Sequence, residues 1–120
     1  MIRENTDYTI VKHFLSLARN EIRKGNFRLE PRKNIKVDGT AKNYKQCLFD
    51  LSITIEGVKE KIYSLKEEEC YRISFDYDSS RDYNSEIFEF LTNVNNIITY
   101  IKLTINNVGL LCLSFHKSNG

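Results

Sequence analysis

Residues Ile97–His116 read I-I-T-Y-I-K-L-T-I-N-N-V-G-L-L-C-L-S-F-H, two alternating runs parted by Asn106-Asn107 with Gly109 close by. Asparagine and glycine accept the left-handed backbone that a tight turn requires, so the stretch predicts a β-hairpin. Strand side chains alternate with period two. In the first run Ile97, Thr99, Ile101, Leu103 and Ile105 therefore share one face, and Ile98, Tyr100, Lys102 and Thr104 share the other. In the second run the same alternation groups Leu111, Leu113 and Phe115 against Cys112, Ser114 and His116. With the aliphatic faces in a core, Tyr100, Lys102 and His116 stand together on an open surface.

Working back from the hairpin, Glu86–Thr92 reads as a strand in which Phe88 and Phe90 point one way and Ile87, Glu89 and Leu91 the other. Asn93–Asn96 turns the chain into the hairpin. Arg72–Phe75 is a further short strand, Glu67–Tyr71 one helical turn, and the polar run Asp76–Ser85 a mobile loop. The first part of the chain is helical. An amphipathic helix runs from about Asp7 to Lys24, capped by Thr6 or Asp7. Its stripe is Val11, Phe14, Leu15, Ala18 and Ile22, and Gly25 follows its end. Phe27–Leu29 is a short strand, held to a sheet edge by Pro31. A second helix is expected over Thr40–Phe49. A third is capped by Thr54 and buries Ile55, Val58, Ile62 and Leu65. Helices early and antiparallel strands late define an α+β fold, with the helices on one face of a C-terminal sheet.

The 120 residues suit a single domain, long enough to bury about two-thirds of its unfolded surface. No stretch approaches the roughly 18 apolar residues of a membrane span. The polar start M-I-R-E-N-T-D-Y lacks the apolar centre of a signal peptide, so a cytoplasmic protein with no membrane partner is expected. Cys47, Cys70 and Cys112 match no zinc spacing and no disulfide framework, which makes them free thiols. The net charge of +2 is small, but its distribution is uneven. Arg19, Arg23, Lys24, Arg28, Arg32, Lys33, Lys36, Lys42 and Lys45 fall within one stretch, while acid gathers at Glu67–Glu69 and Asp76–Asp82. Such a basic stretch attracts a polyanion.

The chemistry lies on the open face. Sequential antiparallel strands usually pair, so Glu89 joins Tyr100, Lys102 and His116, with Arg72 in reach from the strand before. Singly, each also suits an ordinary solvated surface; sharing one face is what distinguishes them. Self-cleavage of RNA at its 2′-hydroxyl uses these residue types. A base takes the 2′-OH proton, cations stabilise the crowded phosphorane, and an acid protonates the departing 5′-oxygen. With Arg and Lys supplying the charge, no metal or other cofactor is required.

The chain resembles the motility quorum-sensing regulator (MqsR-like) toxins of type II toxin–antitoxin systems, which have a RelE-like fold. The matching residues are G-N-F-R-L-E-P-R-K-N at Gly25–Asn34, D-L-S-I-T-I-E-G-V-K-E-K-I-Y-S-L at Asp50–Leu65, C-Y-R at Cys70–Arg72 and E-I-F-E-F at Glu86–Phe90. Y-I-K-L and L-S-F-H at the end complete the set. The resemblance implies an mRNA interferase, a cytoplasmic endoribonuclease held in check by a cognate antitoxin protein. It implies Arg72, Glu89, Tyr100 and His116 as catalytic positions, the residues already grouped on the open face. Phe88 stands where the family commonly has tryptophan, and Arg72 and His116 stand where some relatives have lysine. On this reading His116 is the general acid and Glu89 the base, with Tyr100 as its competitor. Arg72 and Lys102 contact phosphate, and Arg28, Arg32 and Lys33 extend the RNA-binding surface. Two other readings stay open: a non-catalytic toxin-like module that binds a protein such as a regulator or a topoisomerase, and a plain structural or oligomer-forming domain.

Overall fold

The computed structural model describes residues 8–75 and 86–118. The chain forms helix α1 (Tyr8–Arg23), strands β1 (Phe27–Leu29), β2 (Ile35–Val37) and β3 (Thr40–Lys42), then helices α2 (Tyr44–Asp50) and α3 (Ile55–Tyr63). A single 3₁₀ turn (Glu67–Glu69) leads into β4 (Cys70–Phe75), β5 (Glu86–Val94), β6 (Ile97–Asn106) and β7 (Gly109–Lys117). Five strands make one sheet in the order β1-β7-β6-β5-β4, and β2 and β3 form a separate hairpin. The large sheet is antiparallel except where β1 pairs parallel with β7. The fold class is α+β, as the patterning predicts. The expected cap of α1 at Thr6 or Asp7 and the loop Asp76–Ser85 lie outside the described residues.

Helical periodicity explains the packing. Val11, Phe14, Leu15 and Ala18 of α1 are buried together with Val58 and Ile62 of α3 and the following Leu65. They cover a sheet face made by Phe88, Phe90, Ile101, Leu103, Leu110, Cys112 and Phe115, among others. Phe14 stacks on Phe88 with ring centroids 3.8 Å apart, tying α1 to β5. The chain leaves α1 through Gly25 at φ 79°, the left-handed conformation expected just past a helix end. All three cysteines are buried thiols outside any disulfide.

Four local expectations are corrected. Thr40–Lys42 is strand rather than helix. Asp38 and Gly39 both take positive φ (51° and 80°), making a tight turn that returns β3 onto β2. The helix starts later, at Tyr44, where Asn43 and Gln46 form a reciprocal capping box. Ile55 is 50% exposed and not part of the α3 stripe. Ile53, just before the Thr54 cap, packs into the core instead, in the same cluster as Val58. The strand β5 continues to Val94, and the turn into β6 narrows to Asn95-Asn96, both at positive φ. The face assignment in β7 also changes. Lys102 pairs with Ser114 but Leu103 pairs with Cys112, so Leu113 is an extra, bulged residue. The bulge reverses the alternation: Cys112 and Phe115 both face the core, while Leu111 and Leu113 form a small cluster with Ile87.

Candidate functional site

The open face of the sheet carries the polar residues in two adjacent rows. Across β4, β5, β6 and β7, one row is Arg72, Glu89, Lys102 and Ser114. The next is Leu91, Tyr100 and His116. Glu89 reaches this face because its neighbours Phe88 and Phe90 are drawn into the core on the other. His116 keeps its expected side because it lies beyond the Leu113 bulge together with Ser114.

Glu89 is the hub. Its side chain is 1% exposed, yet it is surrounded by donors. Arg72 grips it with both Nε (2.8 Å to Oε2) and Nη2 (3.0 Å to Oε1), the forked geometry of a guanidinium on a carboxylate. Ser74 Oγ donates to Oε2 at 2.9 Å, Tyr100 donates its hydroxyl to Oε1, and the Tyr71 hydroxyl approaches Oε1 at 3.5 Å. Burial alone would push the Glu89 carboxyl up. The hydrogen bonds from Arg72, Tyr100 and Ser74, with the guanidinium charge, outweigh it and hold the group below its ordinary 4.5. Burial and the hydrogen bond to Glu89 push the Tyr100 phenol upward, so it stays a neutral donor.

The stability linkage follows in sign. A carboxyl depressed in the folded state contributes stability above its unfolded pKa and loses it as pH falls through the folded value. The wild-type protein is therefore expected to be more stable than Glu89→Gln near neutral pH, with the gap closing as pH drops below 4.5. Denaturant unfolding at a series of acid pH values checks this; a gap that stays constant into acid would refute it.

A cleft of about 420 Å³ opens beside the hub, lined by Tyr71, Arg72, Glu89, Leu91, Tyr100, His116 and Ser118. Tyr100 and His116, cross-strand partners, line it side by side with ring centroids 5.2 Å apart. The Nδ1 atom of His116 lies 2.8 Å from the Lys117 carbonyl oxygen. A carbonyl only accepts, so Nδ1 carries the proton and Nε2 keeps its lone pair in the neutral ring. Burial pushes the His116 imidazole below its ordinary 6.5. The Lys117 hydrogen bond opposes this, and the positive charges of Arg32 and Lys102 add to it.

Arg72, Glu89, Tyr100 and His116 thus converge on one cleft, with Lys102 one strand position from Glu89. Arg32 joins them from the β1–β2 connection, where its Nη1 donates to Ser114 Oγ at 2.7 Å. Arg28 and Lys33 are exposed on the β1 side and do not line the cleft. Much of the basic stretch is spent elsewhere. Arg19 donates to the carbonyls of Tyr63 and Leu65, Lys24 pairs with Glu21, and Lys42 with Asp50. Two donors to Glu89 escape the sequence reading. Ser74 follows from alternation, two residues beyond Arg72 on β4. Tyr71 does not, because a second bulge between Cys70 and Arg72 turns it onto the open face.

Among the described residues, no helix is long and apolar enough to cross a membrane. No protein-family model matches the chain, and no curated protein matches it with significance.

Proposed function

We propose that this protein is a cytoplasmic, metal-independent endoribonuclease, the toxin of a toxin–antitoxin pair, which cleaves mRNA by attack of a 2′-hydroxyl on the adjacent phosphate. The observation that carries this reading is the convergence of a neutral, correctly tautomeric His116 and a Glu89-anchored Arg72 on one open cleft.

The geometry favours different roles from those expected from the sequence. Glu89 is buried and saturated with donors, so a proton transferred to it would displace its hydrogen bonds; it is a poor base. Its role is to hold Arg72 and Tyr100 in place. The free Nε2 lone pair of His116 is the better base for the 2′-hydroxyl. As that proton moves to Nε2, the 2′-oxygen attacks phosphorus and the bond to the 5′-oxygen breaks. The departing oxygen regains a proton through solvent in the open cleft. Arg72, 60% exposed beyond its grip on Glu89, and Lys102 neutralise the charge that builds on the phosphorane.

Purified protein given a defined RNA in the presence of a chelator is expected to leave 2′,3′-cyclic phosphate and 5′-hydroxyl ends. Growth arrest on expression with no RNA cut would overturn this reading in favour of a toxin-like module acting on a protein partner.

A further inference from the structure

Arg32 and Lys102 are cations without an anionic partner among the described residues, and both stand beside His116. Lys102 sits directly across from Glu89 in the β5–β6 register, yet the carboxylate is taken by Arg72. Arg32 is exposed, but it is not loose. Its backbone N–H donates to the Glu30 carbonyl at 2.9 Å, and its own carbonyl accepts from Tyr44 N–H at 3.0 Å. From that fixed position its side chain spans 82 residues of sequence to end on a neutral hydroxyl, Ser114 Oγ. Cations with no counter-charge among the described residues favour an anionic ligand, and a guanidinium already ordered on Ser114 loses little freedom on binding one.

A third cation, Arg72, lies at the far end of the same row. Arg72 to Ser114 is three strand positions, about 14 Å at the usual spacing of neighbouring strands. The two guanidiniums are anchored on different groups two strands apart, Arg72 on Glu89 and Arg32 on Ser114, so they mark two positions along the row.

We propose that Arg32 and Ser114 form a second phosphate-binding position next to His116, with Lys102 between it and the position at Arg72. Assigning both phosphates to one RNA strand rests on the ribonuclease reading; binding of phosphate at the second position does not. The strand then crosses the sheet along the row, from β4 towards β7, and a flanking phosphate is held by Arg32 while the neighbouring one is cleaved.

Two measurements test this. In the first, inorganic phosphate is titrated into the protein while the His116 ring is followed by NMR. A bound anion favours the imidazolium, so the His116 titration midpoint is expected to rise with phosphate. Arg32→Met is expected to weaken phosphate at least about tenfold, and Arg32→Lys to weaken it less. An unmoved midpoint in the wild type, or equal phosphate affinity in Arg32→Met, overturns the proposal. In the second, a single-stranded DNA oligonucleotide serves as an uncleavable strand. Its binding is expected to lose about 0.7 from its log–log salt slope in Arg32→Met, the counterion share of one single-strand phosphate. An unchanged slope counts against the site. The two readings fail separately. RNA cleavage with no role for Arg32 in phosphate binding removes only the second position. Arg32-dependent phosphate binding without any RNA cleavage removes only the ribonuclease reading.

Discussion

His116→Ala is expected to lower RNA cleavage by about 10²–10⁴-fold, the range associated with one positioned acid–base group. The loss should fall mainly on kcat, because Arg72, Lys102 and Arg32 still hold the phosphates. The pH profile separates a base from an acid. Burial, with the nearby charges of Arg32 and Lys102, holds the imidazole below 6.5. A His116 base is active when neutral, so the wild-type rate should climb with pH below that value and then level through neutrality. A His116 acid would give the reverse, a rate that falls as pH rises through the same window. Rates from about pH 5 to pH 8 cover the range in which an imidazole titrates. A descending profile, or near wild-type activity in folded His116→Ala, would end the assignment of His116 as base.

Gly109→Ala is expected to destabilise the fold by about 2–5 kcal/mol, combining backbone strain with overpacking. Gly109 opens β7 at φ 136°, a conformation that side-chain-bearing residues rarely adopt. A Cβ there would lie 2.3 Å from the Asn26 carbonyl oxygen and 2.7 Å from Asn26 Cβ. The first of these is backbone, so no rotamer change relieves it. The same Asn26 oxygen accepts the Leu110 N–H at 2.8 Å, the bond that starts the parallel β1–β7 pairing. Separating Asn26 from Gly109 therefore loosens β1 and, beyond it, the segment carrying Arg32. Gly25→Ala is the control. It too has positive φ, at 79°, but nothing lies within 4 Å of its added Cβ. Only the left-handed conformation is then penalised, about 1–2 kcal/mol. Denaturant unfolding of the two variants checks the ranking; equal midpoints would show that the Asn26 contact is not the cause.

The legibility of the site varied residue by residue, for identifiable reasons. Glu89 could be placed on the open face because the phenylalanines on either side of it leave a five-residue pattern with one solution. Tyr100 and Lys102 were placed by the uninterrupted alternation of β6. Simple alternation puts His116 on its observed side and Cys112 on the wrong one, since the bulge at Leu113 comes before Ser114 and leaves the last residues in step. Tyr71 escapes the sequence because Glu67–Tyr71 reads there as a helical turn, whereas the 3₁₀ turn ends at Glu69 and Tyr71 is the bulged residue of β4. The hairpin of β2 and β3 is nonetheless written locally, in the Asp38-Gly39 turn and in the Asn43–Gln46 capping box that starts the helix only at Tyr44.

What the sequence determined by itself is the periodic part: an amphipathic helix, strands with one apolar face, and therefore a sheet with helices on one side and a polar surface on the other. Period and side-chain type are local properties, and burial of the apolar stripe leaves little choice about which face turns inward. Only the tertiary structure decided the rest. The bulges at Tyr71 and Leu113 arise from how β4 and β7 register against their neighbours, and no single strand encodes its partner's count. Arg72, Ser74 and Tyr100 saturate Glu89 with hydrogen bonds, and the bond from Arg32 to Ser114 joins residues 82 positions apart. Such contacts depend on the distance between side chains once the sheet is closed, a quantity that spacing along the chain does not contain.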